Sequence, residues 1–377
     1  MKNHNPFRYF KTSPEIIRLA VPYNQMGLIN VGACLLHAPA TKLSLKTIDY
    51  TALRDTSESR SLLSMPHVWF DGDAFEHLLN YVNSSKGAYA PNTERARLSD
   101  SRIFAEWCQD ERKKMLPSRP ETIAAFIDAM AEIRAPATVR RYATSISHLH
   151  RAAGLANPCN DELVRFALRR MHRAKGRRGN QKLGLTRDLV DRMLAASPGT
   201  LKGLRDRALL SVAYDSLCRR SELVAADVEH VELMSDGSGT LFLPRSKTDQ
   251  EGQGAYRYLA PDTMRHLSSY LEASGHKEGV LFRAVGRGGR RSERLAGETV
   301  ARIFKRMAGA AGIEPSGISG HSTRIGKAQD CVAAGIGIAA IMRDGGWKTE
   351  AMVARYTEHL RLRESASAKL TALQGRG

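Results

Sequence analysis

Ser319-Gly320-His321-Ser322-Thr323-Arg324, with Gly345-Gly346-Trp347 and Tyr356 further along, is the stretch on which the reading of this chain turns. The spacing predicts a helix through His321 and Arg324, and two side chains three residues apart on a helix leave from one face. An imidazole donor beside a guanidinium fork suits a phosphate, whose oxygens accept hydrogen bonds from planar donors. Alone, the pair has a plainer reading as a core histidine and a solvated arginine, so its meaning rests on the rest of the chain.

Charge narrows the choice of ligand. The 377 residues allow two or three domains, and a hydrophobic fraction of 42% is enough to build cores. Lysine plus arginine number 57 against 39 acidic residues, a formal net charge of +18. That excess points to a polyanionic partner, because counterions released from nucleic acid favour a basic protein at moderate salt. The charge is also clustered: residues 169–182 hold seven lysines or arginines and no acid. Glycines and the lack of an apolar period mark this stretch as a linker that would lie against phosphates, with Arg173, Lys175, Arg177 and Arg178 as expected contacts.

The five cysteines are scattered and lack metal-ligand spacing, which suits reduced thiols and neither a disulfide framework nor a zinc site. No run approaches the roughly 18 apolar residues of a membrane span. The most apolar N-terminal piece, Met26 to Leu36, follows Pro22 and starts too far in for a signal peptide. A cytoplasmic protein with no membrane partner is expected.

Residues 1–68 show no defensible period and read as an extension, either an appended arm or the product of a start upstream of Met65. Residues 69–175 read as a helical domain with helices over 93–111, 121–133, 138–153 and 161–172. Phe104 and Trp107 lie on an apolar stripe of the first, and Val139, Tyr142, Ile146 and Leu149 on that of the third. Thr93, Arg95, Arg102, Arg140 and Arg141 project elsewhere and are candidate DNA contacts. Residues 176–184 form the basic linker, and 185–377 a mainly helical second domain. There Arg219 and Glu222 are again three apart, which by spacing alone is an ordinary surface ion pair on one helical face. Short strands over 240–244 and 256–259 flank a hairpin carrying Lys247. A glycine- and arginine-rich loop follows, in which Arg287, Arg290 and Arg294 are further candidate phosphate contacts. Leu370 and Leu373 share one apolar face of a terminal helix at about 363–373, able to pack on its own domain or on a neighbour.

In order and spacing, Arg219 with Glu222, Lys247 in a hairpin, His321-x-x-Arg324, Gly-Gly-Trp347 and Tyr356 nine residues later resemble the tyrosine recombinase family. The resemblance covers about 71–373. It implies a two-domain, C-shaped DNA clamp that is mainly α with a small antiparallel sheet in the catalytic domain. It implies that Tyr356 attacks a DNA phosphodiester to give a 3′-phosphotyrosine, and that Arg219, Arg324, His321 and Trp347 bind the phosphate oxygens. Lys247 would protonate the leaving 5′-oxygen and Glu222 would hold the arginine. Neither a metal nor another cofactor is implied. The implied partner is double-stranded DNA with an inverted-repeat site, bound by four protomers on two sites and by a chain that is monomeric in free solution. At positions a family member uses for DNA recognition this chain has Ala96 and Ala137, so its target sequence is its own. A self-sufficient recombinase is the leading expectation. The alternatives are an integrase that needs DNA-bending factors, a type IB topoisomerase and a binding protein without catalysis.

Overall fold

The computed structural model describes residues 72–177, 179, 181–246, 249, 252–286, 291–361 and 365–376, and the expected extension over 1–68 lies outside them. The chain divides into two compact units, 1–179 and 180–377.

In the first unit are α1 (Gly72–Ser84), α2 (Pro91–Asp110), α3 (Pro120–Ile133), α4 (Pro136–Ala152) and α5 (Glu162–Lys175). Prolines open α2, α3 and α4, where their fixed φ fits a first helical turn and no backbone donor is wasted. The core is aromatic: the ring centroid of Phe126 lies 5.0 Å from that of Phe104, 5.3 Å from Trp107 and 5.8 Å from Tyr142. The last helix runs three residues beyond the expected end at His172 and holds the first half of the basic stretch over 169–182. It stops where Gly176 turns to φ +71°, a conformation that favours glycine.

The second unit begins with α6 (Arg187–Ala195), α7 (Leu201–Asp215) and α8 (Arg220–Ala225). An antiparallel sheet follows in the order β1 (Val231–Leu233), β2 (Gly239–Leu243), β3 (Ala255–Leu259), with Leu241 opposite Arg257. Next come α9 (Pro261–Ser274), β4 (Arg283–Val285), β5 (Arg291–Arg294) and α10 (Gly297–Ala310). The unit ends with α11 (Ser322–Ala333), α12 (Ile338–Gly345), α13 (Glu350–Arg361) and α14 (Ala366–Leu373). Alternation along β2 turns Leu241 and Leu243 inward to a core shared with Leu209, Tyr270, Phe282 and Phe304. A separate small cluster of Leu217, Ala328, Ile341, Trp347 and Val353 joins the turn after α7 to α11, α12 and α13.

Two features were not expected. The glycine- and arginine-rich loop contains a two-stranded antiparallel ribbon, β4 with β5, whose polar residues give no apolar period to read. Strand β1 is three residues long and only half-buried or exposed, too short to show alternation.

Candidate active site

Arg219 does not share a helical face with Glu222, as the spacing suggested; it is the extended residue just ahead of α8, with φ −68° and ψ 152°. Glu222 stands at the third helical position and reaches back. One carboxylate oxygen accepts the Arg219 backbone N–H at 2.8 Å and the other accepts from Arg219 Nη1 at 2.7 Å. This is the acidic half of a capping box, so the carboxylate satisfies a helix-end donor and fixes the guanidinium together. Arg219 Nη2 also donates to the Gly346 carbonyl at 3.4 Å.

Arg324 has 1% of its surface exposed, and no carboxylate among the described residues pairs with it. Its Nη2 donates to the Gly345 carbonyl at 2.7 Å and its Nη1 to the Leu217 carbonyl. Leu217 presents that carbonyl from φ +53°, a left-handed conformation that costs a non-glycine residue about 1–2 kcal/mol. Burial, and next the positive charge of Arg219, pull the Arg324 guanidinium down to about 10, still cationic at neutral pH. The guanidinium lies over the Trp347 indole, with 4.6 Å from Cζ to the ring centroid. Gly345 is needed for this arrangement, because a Cβ there would stand 2.1 Å from Trp347 Cζ3. Arg324 Nε and Trp347 Nε1 are buried donors with no partner among the described residues.

His321 is likewise not within the helix. It is the residue before α11, at φ −105° and ψ −6°, while Arg324 stands in the first turn. Its Nε2 is 3.0 Å from the Tyr356 hydroxyl, and the two rings meet edge to face at 5.9 Å. Burial first, then Arg324 and Arg219, push the imidazole down to about 4, so it is neutral at pH 7. A neutral imidazole can accept the phenolic proton as well as donate. Tyr356 projects from the middle of α13, half-buried, with the Trp347 ring 6.0 Å away.

The second unit thus brings Arg219, Glu222, His321, Arg324, Trp347 and Tyr356 together, while Lys247 lies outside the described residues. Of the expected DNA contacts, Thr93, Arg95, Arg140, Arg173 and Arg177 are exposed on the first unit. Arg102 is exposed too and stands 3.8 Å from Glu106. Three others are held by the protein itself. Arg141 Nη1 is 2.7 Å from the buried Asp100 carboxylate. Lys175 donates to the Ala131 and Glu132 carbonyls. Arg294 donates to Asp227 at 2.6 Å and to the Val224 carbonyl at 2.8 Å. Arg178, Arg287 and Arg290 lie outside the described residues.

Sequence reasoning missed the carbonyl groups of Leu217, Gly345 and Gly346. The paired glycines were the available signal, since Gly346 turns at φ +62° and Gly345 admits the indole.

Residues 184–363 match the sequence model of the phage integrase family. The chain is 36% identical over 286 residues to an integrase/recombinase XerD homolog of Selenomonas ruminantium, covering 71% of this chain and 82% of the relative. It is 26% identical over 303 residues to the recombinase Cre of Escherichia phage P1, covering 75% of this chain and 88% of Cre. Among solved structures, a lambda integrase tetramer bound to a Holliday junction shares its fold, with a TM-score of 0.52 at 18% identity over 75% of this chain and 76% of that one.

Proposed function

We infer the reaction of this chain from one premise: it belongs to the phage integrase family of tyrosine recombinases, enzymes that cleave and rejoin DNA strands. It is a self-sufficient site-specific recombinase of the Cre type, and Tyr356 is its nucleophile. The observation that carries the nucleophile assignment is the 3.0 Å approach of a neutral His321 Nε2 to the Tyr356 hydroxyl, beside two buried donors left unpaired among the described residues.

Tyr356 Oη attacks the phosphorus of a DNA phosphodiester, and its proton passes to His321 Nε2. The P–Oη bond forms as the P–O5′ bond breaks, giving a 3′-phosphotyrosine and a 5′-oxygen that Lys247 protonates. Conserving the ester bond lets a 5′-hydroxyl from a partner strand reverse the step and rejoin. Charge growing on the non-bridging oxygens is met by Arg219 and by Arg324 Nε, with the Trp347 indole N–H as a further donor. Arg324 is suited to this because its buried guanidinium keeps its position and its charge. Glu222 holds Arg219 and does not touch the phosphate.

Residues of both the helical first unit and the catalytic second unit contact duplex DNA. Thr93, Arg95, Arg102, Arg140, Arg173 and Arg177 supply contacts from the first unit. Four protomers act on two inverted-repeat sites, each contributing one Tyr356. The fold shared with the lambda integrase tetramer on a Holliday junction supports that assembly.

The reading is tested with purified protein alone on two duplexes of different length drawn from a plasmid or host fragment library. Hybrid-length products without any added protein are expected. Absence of hybrids beside relaxation of a supercoiled plasmid in a parallel reaction would favour a topoisomerase, and hybrids formed only with a DNA-bending protein would favour the accessory-dependent integrase.

A further inference from the structure

The Tyr356 backbone carbonyl accepts hydrogen bonds from two side chains that belong to different segments. Gln329 Nε2, on α11, donates to it at 3.1 Å, and Gln181 Nε2, on the segment entering the second unit, donates at 3.3 Å. A carbonyl in mid-helix spends one lone pair on its own helix and usually leaves the other to water. Here two carboxamides from outside α13 converge on the one residue of that helix which carries the nucleophile.

Both donors are themselves anchored. Gln329 projects from the helix that holds Arg324, so whatever fixes the phosphate-binding guanidinium also fixes this carboxamide. The segment bearing Gln181 is stitched to the same helix and to the turn that precedes it. The Leu183 N–H donates to the Gly317 carbonyl at 2.9 Å, the Leu185 N–H to the Ser322 carbonyl at 2.9 Å, and the Arg187 N–H to Asp330 at 2.8 Å. The approach is close on both sides, and at Gly326, which faces backbone, it requires glycine. A Cβ on Gly326 would stand 1.9 Å from the Leu185 carbonyl oxygen, and a Cβ on Gly184 would stand 2.2 Å from Gln329 Oε1.

We propose that Gln329, with Gln181, is a positioning residue that sets the rotation of α13 and so the place of the Tyr356 hydroxyl relative to Arg324. The geometry makes rotation the sensitive coordinate. A tyrosine on a helix of Cα radius about 2.3 Å swings its hydroxyl by roughly 1.5 Å for each 10° of helix rotation. A misplacement of about 1 Å can cost on the order of 100-fold in rate. Removing the donors therefore leaves binding alone and slows the attack. The proposal rests on Tyr356 being the nucleophile.

The test uses the full chain and a library of labelled duplexes with randomised inverted repeats, scored for the covalent protein–DNA adduct and then repeated on the duplex trapped most strongly. Gln329→Met keeps the length and apolar stem but has no donor, Gln329→Arg keeps N–H donors, and Gly184→Ala displaces the Gln329 carboxamide from the other side. The adduct rate at saturating DNA is expected to fall about 10–100-fold in Gln329→Met and Gly184→Ala and to recover in large part in Gln329→Arg. DNA affinity and melting temperature should stay at the parent values. An unchanged rate in Gln329→Met beside an active parent overturns the positioning role while leaving the nucleophile in place. Rate losses that track losses of melting temperature across the three variants overturn it as well, since they indicate a structural role only. If the parent gives no more adduct than Tyr356→Phe, the nucleophile assignment fails and the positioning role falls with it.

Discussion

The guanidinium of Arg324 lies over the indole of Trp347, 4.6 Å from Cζ to the ring centroid, and each group carries a buried N–H that no other described residue satisfies. A buried donor without an acceptor costs about 1–3 kcal/mol, so a fold that keeps two in one place has a use for them. In the proposed reaction a phosphate oxygen would satisfy both. Trp347→Phe retains an aromatic surface under the arginine and removes one N–H. Adduct formation in this variant is expected to slow about 100-fold or more at unchanged DNA affinity, the cost of one transition-state donor. Single-turnover cleavage on a saturating duplex measures it.

The His321 imidazole is held at about 4 against an ordinary value near 6.5. Its folded-state value is depressed, so the unfolded chain binds more protons between those two values and stability rises with pH across that window. Above about 6.5 both states are neutral and the group costs nothing; below about 4 both are protonated and the full penalty is present. His321→Gln should therefore flatten the loss of stability between pH 6.5 and 4. His148, His150 and His266, also depressed chiefly by burial, remain in both proteins and cancel in the comparison. Chemical denaturation of parent and variant at several pH values checks this.

Gly345→Ala tests the packing beneath the site. The added methyl would stand 2.1 Å from the Trp347 ring, which itself is 5% exposed and cannot swing aside without opening the small cluster around Leu217 and Ile341. Overpacking of this kind costs about 1–3 kcal/mol. Both the melting temperature and the cleavage rate are expected to fall, because the Gly345 carbonyl also holds Arg324.

On α14, Leu370 and Leu373 expose 54% and 86% of their surfaces. If this helix docks on a neighbouring protomer, deletion of residues 362–377 should leave cleavage of a single site intact and lower cooperativity on paired sites. Native gels and hybrid-product yields on one-site and two-site duplexes separate the two effects.

The helices, and most of the residues that converge in the candidate site, were legible because their signals are local. Apolar periods placed α2 through α4, each of which begins one or two residues earlier than expected, at a proline expected to lie in the break before it. The site's motif residues are close in sequence or have distinctive spacing. The local backbone around them was not legible. Arg219 and His321 each stand just before a helix rather than on its face, and spacing cannot tell a residue in the first turn from the one that precedes it. The acceptors for Arg324 are main-chain carbonyls of Leu217 and Gly345, contributed from segments far apart in the chain, and a carbonyl has no letter in the sequence. Arginines such as Arg141 and Arg294 looked available for DNA because their carboxylate partners, Asp100 and Asp227, are 41 and 67 residues away. Only the fold brings them together.

The central claim is that Tyr356 forms the covalent link to DNA, and trapping measures it most directly. Purified parent and Tyr356→Phe proteins are incubated with labelled plasmid or host DNA fragments, denatured, and separated. A protein–DNA adduct joined at a 3′-phosphate is expected from the parent and none from the variant, and sequencing the trapped ends gives the target site. An adduct of equal yield from Tyr356→Phe, or DNA binding by the parent without any adduct across the library, would contradict the account.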